Sequence, residues 1–269
     1  MTAHVLPTKR VEKVWGCSPL PEPFAVDGEM EPIGEIWFEP PAALSDVLVK
    51  YLFTSEKLSV QVHPPAQASP TGRGKEECWL VLDAQPGARL ALGFKDPVDC
   101  EAMRAAALDG TIEGLLEWHE VEAGDFFYLP AGTVHAIGSG LTLLEVQQNT
   151  DITYRLYDYG RPRELHLDEA MAVAQGTPYP AAFHRKVSPG EEAMLVDGPA
   201  FRLAQVSGAP SGELARKLDG PVQIMPLAGN VSLSGAAVRP GESALAANIG
   251  EVAFGSGSRT LIAASASSS

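Results

Sequence analysis

Short apolar runs of strand length, each closed by glycine or proline, constrain this chain more than any other feature. Its 26 glycines and 22 prolines are spread through 269 residues. Proline interrupts a helix and glycine favours turns, so little of the chain can sustain long helices. The runs Lys57–His63, Cys78–Leu82, Arg89–Phe94, Asp125–Leu129 and Leu141–Gln147 are bounded by turn residues and read as strands of a sandwich or barrel. Pro97–Leu116 is the exception. Met103, Ala106, Ala107, Leu115 and Leu116 recur at roughly helical spacing around Gly110, which predicts one or two short helices inserted between strands. A further helix is expected over Leu167–Gln175, capped by Asp168 or the preceding segment and ended by Gly176 and Pro178.

The punctuation changes after that helix. Residues 176–190 are loop-like, and short strands return from Phe201 to Ala263, so the chain divides into a first domain over 1–178, a second β domain over 179–263 and a flexible Ser-rich tail over 264–269. No histidine follows His184, so the second domain lacks the imidazoles of a usual metal or acid–base site and reads as a scaffold or lid.

Charge excludes several partner classes. With 20 Lys plus Arg against 34 Asp plus Glu, the formal net charge is -14, a field that repels nucleic acid and anionic membranes. A phosphorylated ligand then requires a local basic pocket. Cys17, Cys78 and Cys100 are odd in number and unpaired in spacing, as expected of free thiols in a reducing compartment. The N-terminal residues lack an apolar stretch of signal-peptide length and no window approaches a membrane span, so the expected location is the cytoplasm. Oligomeric state leaves no signal in the sequence.

Three segments carry chemistry. If Lys57–His63 is one strand, alternation places Leu58, Val60 and Val62 on one face and Lys57, Ser59, Gln61 and His63 on the other. In Gly74–Leu82, Lys75, Glu77, Trp79 and Val81 share one parity and Glu76, Cys78, Leu80 and Leu82 the other; both carry apolar residues, so this segment alone does not select the inward face. The third is Gly124–His135, with proline six residues after the glycine, a second glycine two later and histidine three later. That spacing matches the second sequence motif of the cupin barrels, in which a glycine–proline turn swings the histidine into the barrel as a metal ligand.

The first cupin motif departs from its usual form, with Gln61 and His63 in place of two alternating histidines and a loop, Pro64–Gly74, before the glutamate. In this the chain resembles the type I mannose-6-phosphate isomerases, which carry Gln-x-His, a longer loop, then Gly-Lys-x-Glu. The resemblance covers most of the first 165 residues. It includes Arg10–Gly16, Gly34–Trp37, Leu58–Pro64, Gly74–Trp79, Leu129–His135, Glu145–Arg155 and the following Leu156–Arg161. It implies a double cupin-like, jelly-roll architecture. It also implies one zinc ion per chain held by Gln61, His63, Glu77 and His135, with Glu77 chosen over Glu76 as the glutamate two after the lysine. Manganese, iron or cobalt would suit the same donors.

The resemblance further places Glu145 and Arg155 in the active site. Arg155 would stabilise an anionic intermediate or bind a substrate oxygen, and Glu145 would transfer or position a proton; a buried salt bridge is the plain alternative for both. Lys50, Ser59 and Arg161, with Lys57 and Lys75 nearby, are the expected ligands of a sugar phosphate. The general base remains open between Glu145, Lys75 and a metal-bound water. The implied activity is interconversion of mannose 6-phosphate and fructose 6-phosphate through an enediol. Its rivals are a cupin metal-dependent oxygenase and a non-catalytic sugar-phosphate-binding protein. Trp15, Trp37 and Trp118 read as packing residues, and His4, His119, His166 and His184 as surface or loop residues.

Overall fold

Alternating side chains give the computed structural model its layers. It describes residues 5–28 and 30–266, so His4 and residues 267–269 of the Ser-rich tail lie outside the described residues. In the first part the strands are β1 (Thr8–Cys17), β2 (Ile33–Phe38), β3 (Val47–Thr54), β4 (Val60–Val62), β5 (Glu77–Ala84), β6 (Arg89–Phe94), β7 (Leu116–Glu120), β8 (Asp125–Leu129), β9 (His135–Ile137), β10 (Leu141–Gln148), β11 (Tyr154–Tyr157) and β12 (His184–Lys186). They form a seven-stranded sheet, β1-β2-β3-β10-β5-β8-β12, and a five-stranded sheet, β11-β4-β9-β6-β7. In the second part β13 (Ala193–Asp197), β14 (Phe201–Ser207), β15 (Val222–Ala228), β16 (Val231–Leu233), β17 (Ala236–Val238), β18 (Ala244–Ala246), β19 (Val252–Phe254) and β20 (Arg259–Ser265) form sheets ordered β13-β14-β20-β15-β18 and β17-β16-β19. All named pairings are antiparallel. This is the mainly β architecture expected from the turn punctuation, in the double cupin-like form that the resemblance implies. Residues 184–186 lie beyond position 178 yet complete the first sheet as β12.

The predicted helical insertion is two helices, α1 (Cys100–Asp109) and α2 (Ile112–Leu115). Asp99 caps α1 by accepting from the Ala102 N–H, and Gly110 ends it in the left-handed region at φ 83°, where a side chain would be strained. The third helix, α3 (Leu167–Val173), has His166 at its N-cap position; Asp168 lies inside the first turn, where its charge favours the helix dipole without capping it. A fourth, α4 (Gly212–Lys217), belongs to the second part. No helix among the described residues is long and apolar enough to cross a membrane.

The central strands β3, β5 and β10 of the seven-stranded sheet are buried on both faces. One parity of β3, β5 and β10 contributes Val49, Tyr51, Phe53, Leu80, Leu144 and Val146, which pack against Phe201, Leu203, Met225 and Leu261 of the second part. The opposite parity faces the interior of the first barrel, where Leu52, Trp79, Val81 and Leu143 meet Leu90, Leu92 and Ile137. Towards one end that inner parity turns polar. Trp37 is paired with Lys50, Lys50 with Glu145 and Glu145 with Trp79 in one row across four strands, and Gln147 with Glu77 in the row beside it. Lys50, Glu77, Glu145 and Gln147 therefore stand on the seven-stranded sheet, while Gln61, His135 and Arg155 come from the facing five-stranded sheet, with their cross-strand positions set by register.

Candidate active site

Two turns bring the ligand candidates together. Between β8 and β9 the chain reverses through Pro130–Thr133, with the Thr133 N–H donating to the Pro130 carbonyl at 3.2 Å and Gly132 at φ 92°. A positive φ at the third turn position is what glycine permits. The Gly132 N–H then donates to the His63 carbonyl at 2.8 Å, and His135 opens β9 opposite Gln61 of β4. The Pro64–Gly74 loop closes when the Lys75 N–H donates to the Pro64 carbonyl at 3.1 Å, so β5 starts with Glu77 facing the two histidines.

His63, Glu77 and His135 are all buried, with candidate ligand atoms within 4.8 Å of one another. Each Nε2 is 3.4 Å from a Glu77 oxygen: His63 from Oε2, His135 from Oε1. Each Nδ1 lies 2.9 Å from a backbone carbonyl, that of Ile152 for His63 and of Thr133 for His135. Those carbonyls hold the proton on Nδ1 and leave the Nε2 lone pairs facing Glu77, the tautomer a metal ligand needs. Burial, followed by the Lys75 charge, drives the His63 imidazole well below its ordinary pKa. Burial likewise lowers His135 to about 4, against the pull of the Thr133 carbonyl. Both are neutral near pH 7.

Gln61 reaches the same point. Its amide nitrogen is 3.2 Å from His135 Nε2, while its Oε1 accepts from Ser59 Oγ at 3.2 Å; a half-turn of the amide presents oxygen inward instead. Both Glu77 oxygens are buried without a hydrogen-bond partner. Lys75 Nζ lies 3.2 Å from Oε2 and 2.9 Å from His63 Nε2, so an ammonium sits where these donors converge. Two neutral imidazoles, a carboxylate without hydrogen bonds and an amide fit a divalent cation.

Glu77 and Gln61 border a cavity of about 310 Å³, whose lining includes Ser59, Lys50, Lys75, Glu145 and Arg155. Lys50 is fully committed: Nζ is 3.0 Å from Glu145 Oε2 and 3.5 Å from Glu35 Oε1. Burial disfavours its charge, yet Glu145 and Glu35 outweigh that and raise its pKa. Burial raises the Glu145 carboxyl to about 7 although Lys50 pulls the other way, and the Glu77 charge adds to the rise. Arg155, paired across strands with Gln61, donates through Nη1 to the Glu164 carbonyl at 2.7 Å; its buried Nε has no partner.

Two predicted ligands lie elsewhere. Lys57 precedes β4, so the alternation assumed from Lys57 to His63 fails; its ammonium pairs with Glu113 and sits 4.5 Å from the Tyr159 ring centroid. Arg161 folds back on Asp158 and on the Lys57 carbonyl. Neither lines the cavity. Arg163 does, as do Lys13, Glu35 and Trp37, which the sequence reading did not assign. Trp15 and Trp37, read as packing residues, are cavity walls, and the Trp37 indole donates to Glu35 Oε2 at 2.9 Å. Glu35 and Trp37 sit within the Gly34–Trp37 segment at alternate positions, a signal that could have identified them. His119 is a half-buried residue of β7, not a loop residue.

No family model matches the chain. It is 43% identical over 139 residues to a mannose-6-phosphate isomerase of Bacillus subtilis, covering 48% of this chain and 44% of that protein. It is 37% identical over 188 residues to a mannose-6-phosphate isomerase of Streptococcus mutans, covering 65% and 59%. The chain thus spans about half the length of the curated relatives it matches. Among solved structures, the mannose 6-phosphate isomerase of Bacillus subtilis superposes with a TM-score of 0.79 at 22% identity, over 98% of this chain and 99% of that one. A variant of phosphomannose isomerase from Salmonella typhimurium superposes with a TM-score of 0.74 at 15% identity, over 97% and 98%. The chain shares the fold of these structures and is a homologue of the sequence relatives over the aligned segments.

Proposed function

We propose that the chain is a divalent-metal-dependent aldose–ketose isomerase interconverting mannose 6-phosphate and fructose 6-phosphate. The observation that carries this is Glu77, a buried carboxylate without hydrogen bonds, 3.4 Å from the Nε2 atoms of two neutral imidazoles beside a cavity whose lining includes Lys50, Lys75, Arg155 and Arg163. The names of the relatives support the substrate. Gln61, His63, Glu77 and His135 would hold the metal, with zinc as the proposed ion. When bound, it supplies Lewis-acid stabilisation of negative charge on a substrate oxygen.

The chain's own residues account for the rest. Isomerisation moves a proton between C1 and C2, which requires a group able to take and return it near neutrality. Glu145, raised to about 7, has that property and is our candidate, with Lys75 beside it on the cavity wall. Arg155 offers positive charge to the enediolate or to an anionic end of the substrate, and Arg163 lines the same cavity. The buried faces of Trp15, Trp79 and Leu52 exclude water from this wall.

We further propose that residues 1–178 form the catalytic domain and 179–263 a scaffold without metal ligands, joined by β12. Three free cysteines accord with a cytoplasmic location. An assay coupled to fructose 6-phosphate formation, run on metal-loaded and chelator-stripped protein, tests the function. Metal-dependent product is expected. Oxygen consumption without that product, or tight binding of mannose 6-phosphate without turnover, would overturn it.

A further inference from the structure

The loop after β11 contains an arrangement that the isomerase chemistry does not itself require. Asp158, Tyr159, Gly160 and Arg161 form a tight reversal. The Arg161 N–H donates to the Asp158 carbonyl at 3.0 Å, and the two central residues have φ of 55° and 78°, as in a type I′ turn. Glycine accepts that conformation freely. Tyrosine does so at a steric cost, and its ring is held by Lys57 at 4.5 Å and Arg161 at 5.5 Å from the centroid.

The turn buries the Asp158 carboxylate, 2% exposed, beneath two guanidinium groups. Its Oδ1 accepts from Arg161 Nη2 at 2.7 Å and Arg163 Nη2 at 2.7 Å, and its Oδ2 from Arg163 Nε at 2.5 Å. The two arginines are treated differently. Arg161 spends the same Nη2 on the Lys57 carbonyl at 2.8 Å and is stacked on Tyr159, outside the cavity. Arg163 makes a two-pronged pair with Asp158 and lines the cavity with Arg155, whose Nε is buried without a partner. Both guanidinium groups share Asp158, Arg161 also lies 3.8 Å from Glu56 Oε2, and Arg155 and Arg163 line the cavity with Asp151, so the positive charge of this wall is carried by those two arginines. Lys50, by contrast, is balanced by two carboxylates.

We propose that Asp158 is a positioning residue: its turn-held carboxylate fixes Arg163 at the cavity wall beside Arg155 and keeps Arg161 out of the cavity. This rests on the sugar-phosphate reading above. The site would recognise a phosphate monoester through Arg155 and Arg163, while Lys50 stays paired with Glu145 and Glu35.

The test uses the metal-loaded full chain, with mannose 6-phosphate turnover and inorganic phosphate as a competitive inhibitor and calorimetric ligand. In D158N, KM for mannose 6-phosphate and the inhibition constant of phosphate should both rise about tenfold, with kcat within about threefold of wild type and bound metal unchanged. R163Q should reproduce the rise, and D158N/R163Q should add little to either single variant. R161Q should lower the melting temperature and leave KM in place, a contrast that holds even if D158N fails to fold. Wild-type KM and phosphate affinity in D158N, additive single effects, or R161Q raising KM as much as R163Q would overturn the proposal. Failure of wild-type protein to bind phosphate or turn over mannose 6-phosphate would instead overturn the functional reading beneath it.

Discussion

Replacing Lys50 by methionine keeps the length of the side chain and removes the cation shared by Glu145 and Glu35. At an effective dielectric of about 20, charge pairs at 3.0 and 3.5 Å are each worth about 5 kcal/mol before the desolvation of all three groups is set against them. Breaking such a buried arrangement while leaving the carboxylates in place costs about 3–5 kcal/mol. For a chain of this size that lowers the melting temperature by roughly 6–20 °C. The deficit depends on pH with a definite sign. Glu145 titrates at about 7 in the folded chain, above its unfolded value, so it costs stability as pH rises through that interval. Without Lys50 its pKa rises further and the cost extends to higher pH. Glu35 retains Lys13 at 3.5 Å and the Trp37 indole, so Glu145 carries most of the change. Melts of metal-loaded K50M should show the deficit near pH 8.5 and its partial recovery near pH 6. K50M/E145Q should regain much of the loss. A deficit below about 1 kcal/mol at pH 8.5, or one that grows toward acid, would refute the reasoning.

Two further outcomes are expected. Substituting Gly110 with alanine forces a left-handed conformation at φ 83° and places a Cβ 2.9 Å from the Tyr157 hydroxyl, so thermal melts should show a loss of about 1–2 kcal/mol with bound metal unchanged; an unaltered melting temperature would contradict the strain. Binding of a metal at a hundredfold its Kd stabilises the fold by about 2.7 kcal/mol, roughly 5–10 °C here. E77Q should lose most of that difference between loaded and stripped samples, and an undiminished difference would remove Glu77 from the ligand set.

What could be read from the sequence follows from how local each signal is. The turn that delivers His135 is encoded within a dozen residues, Gly124–His135, and the helix break at Gly110 is encoded in one residue. Strand alternation correctly grouped Ser59 with Gln61 but failed at Lys57, because β4 begins only at Val60. Arg161 and Arg163 are two apart and chemically identical, and only the backbone reversal at Tyr159 separates the one that lines the cavity from the one that folds away from it. The ion-pair chain Glu35–Lys50–Glu145 arises where β2, β3 and β10 lie side by side, a non-local pairing that no window of sequence contains. The same holds for the burial of the outer face of β3 by Phe201 and Leu203.

The most direct measurement is a titration of divalent metal into chelator-stripped protein, following bound metal and mannose 6-phosphate turnover in the same samples. Turnover should rise in proportion to bound metal and saturate at about one ion per chain. Full turnover in stripped protein, or one tightly bound ion per chain without turnover, would contradict a metal-dependent isomerase.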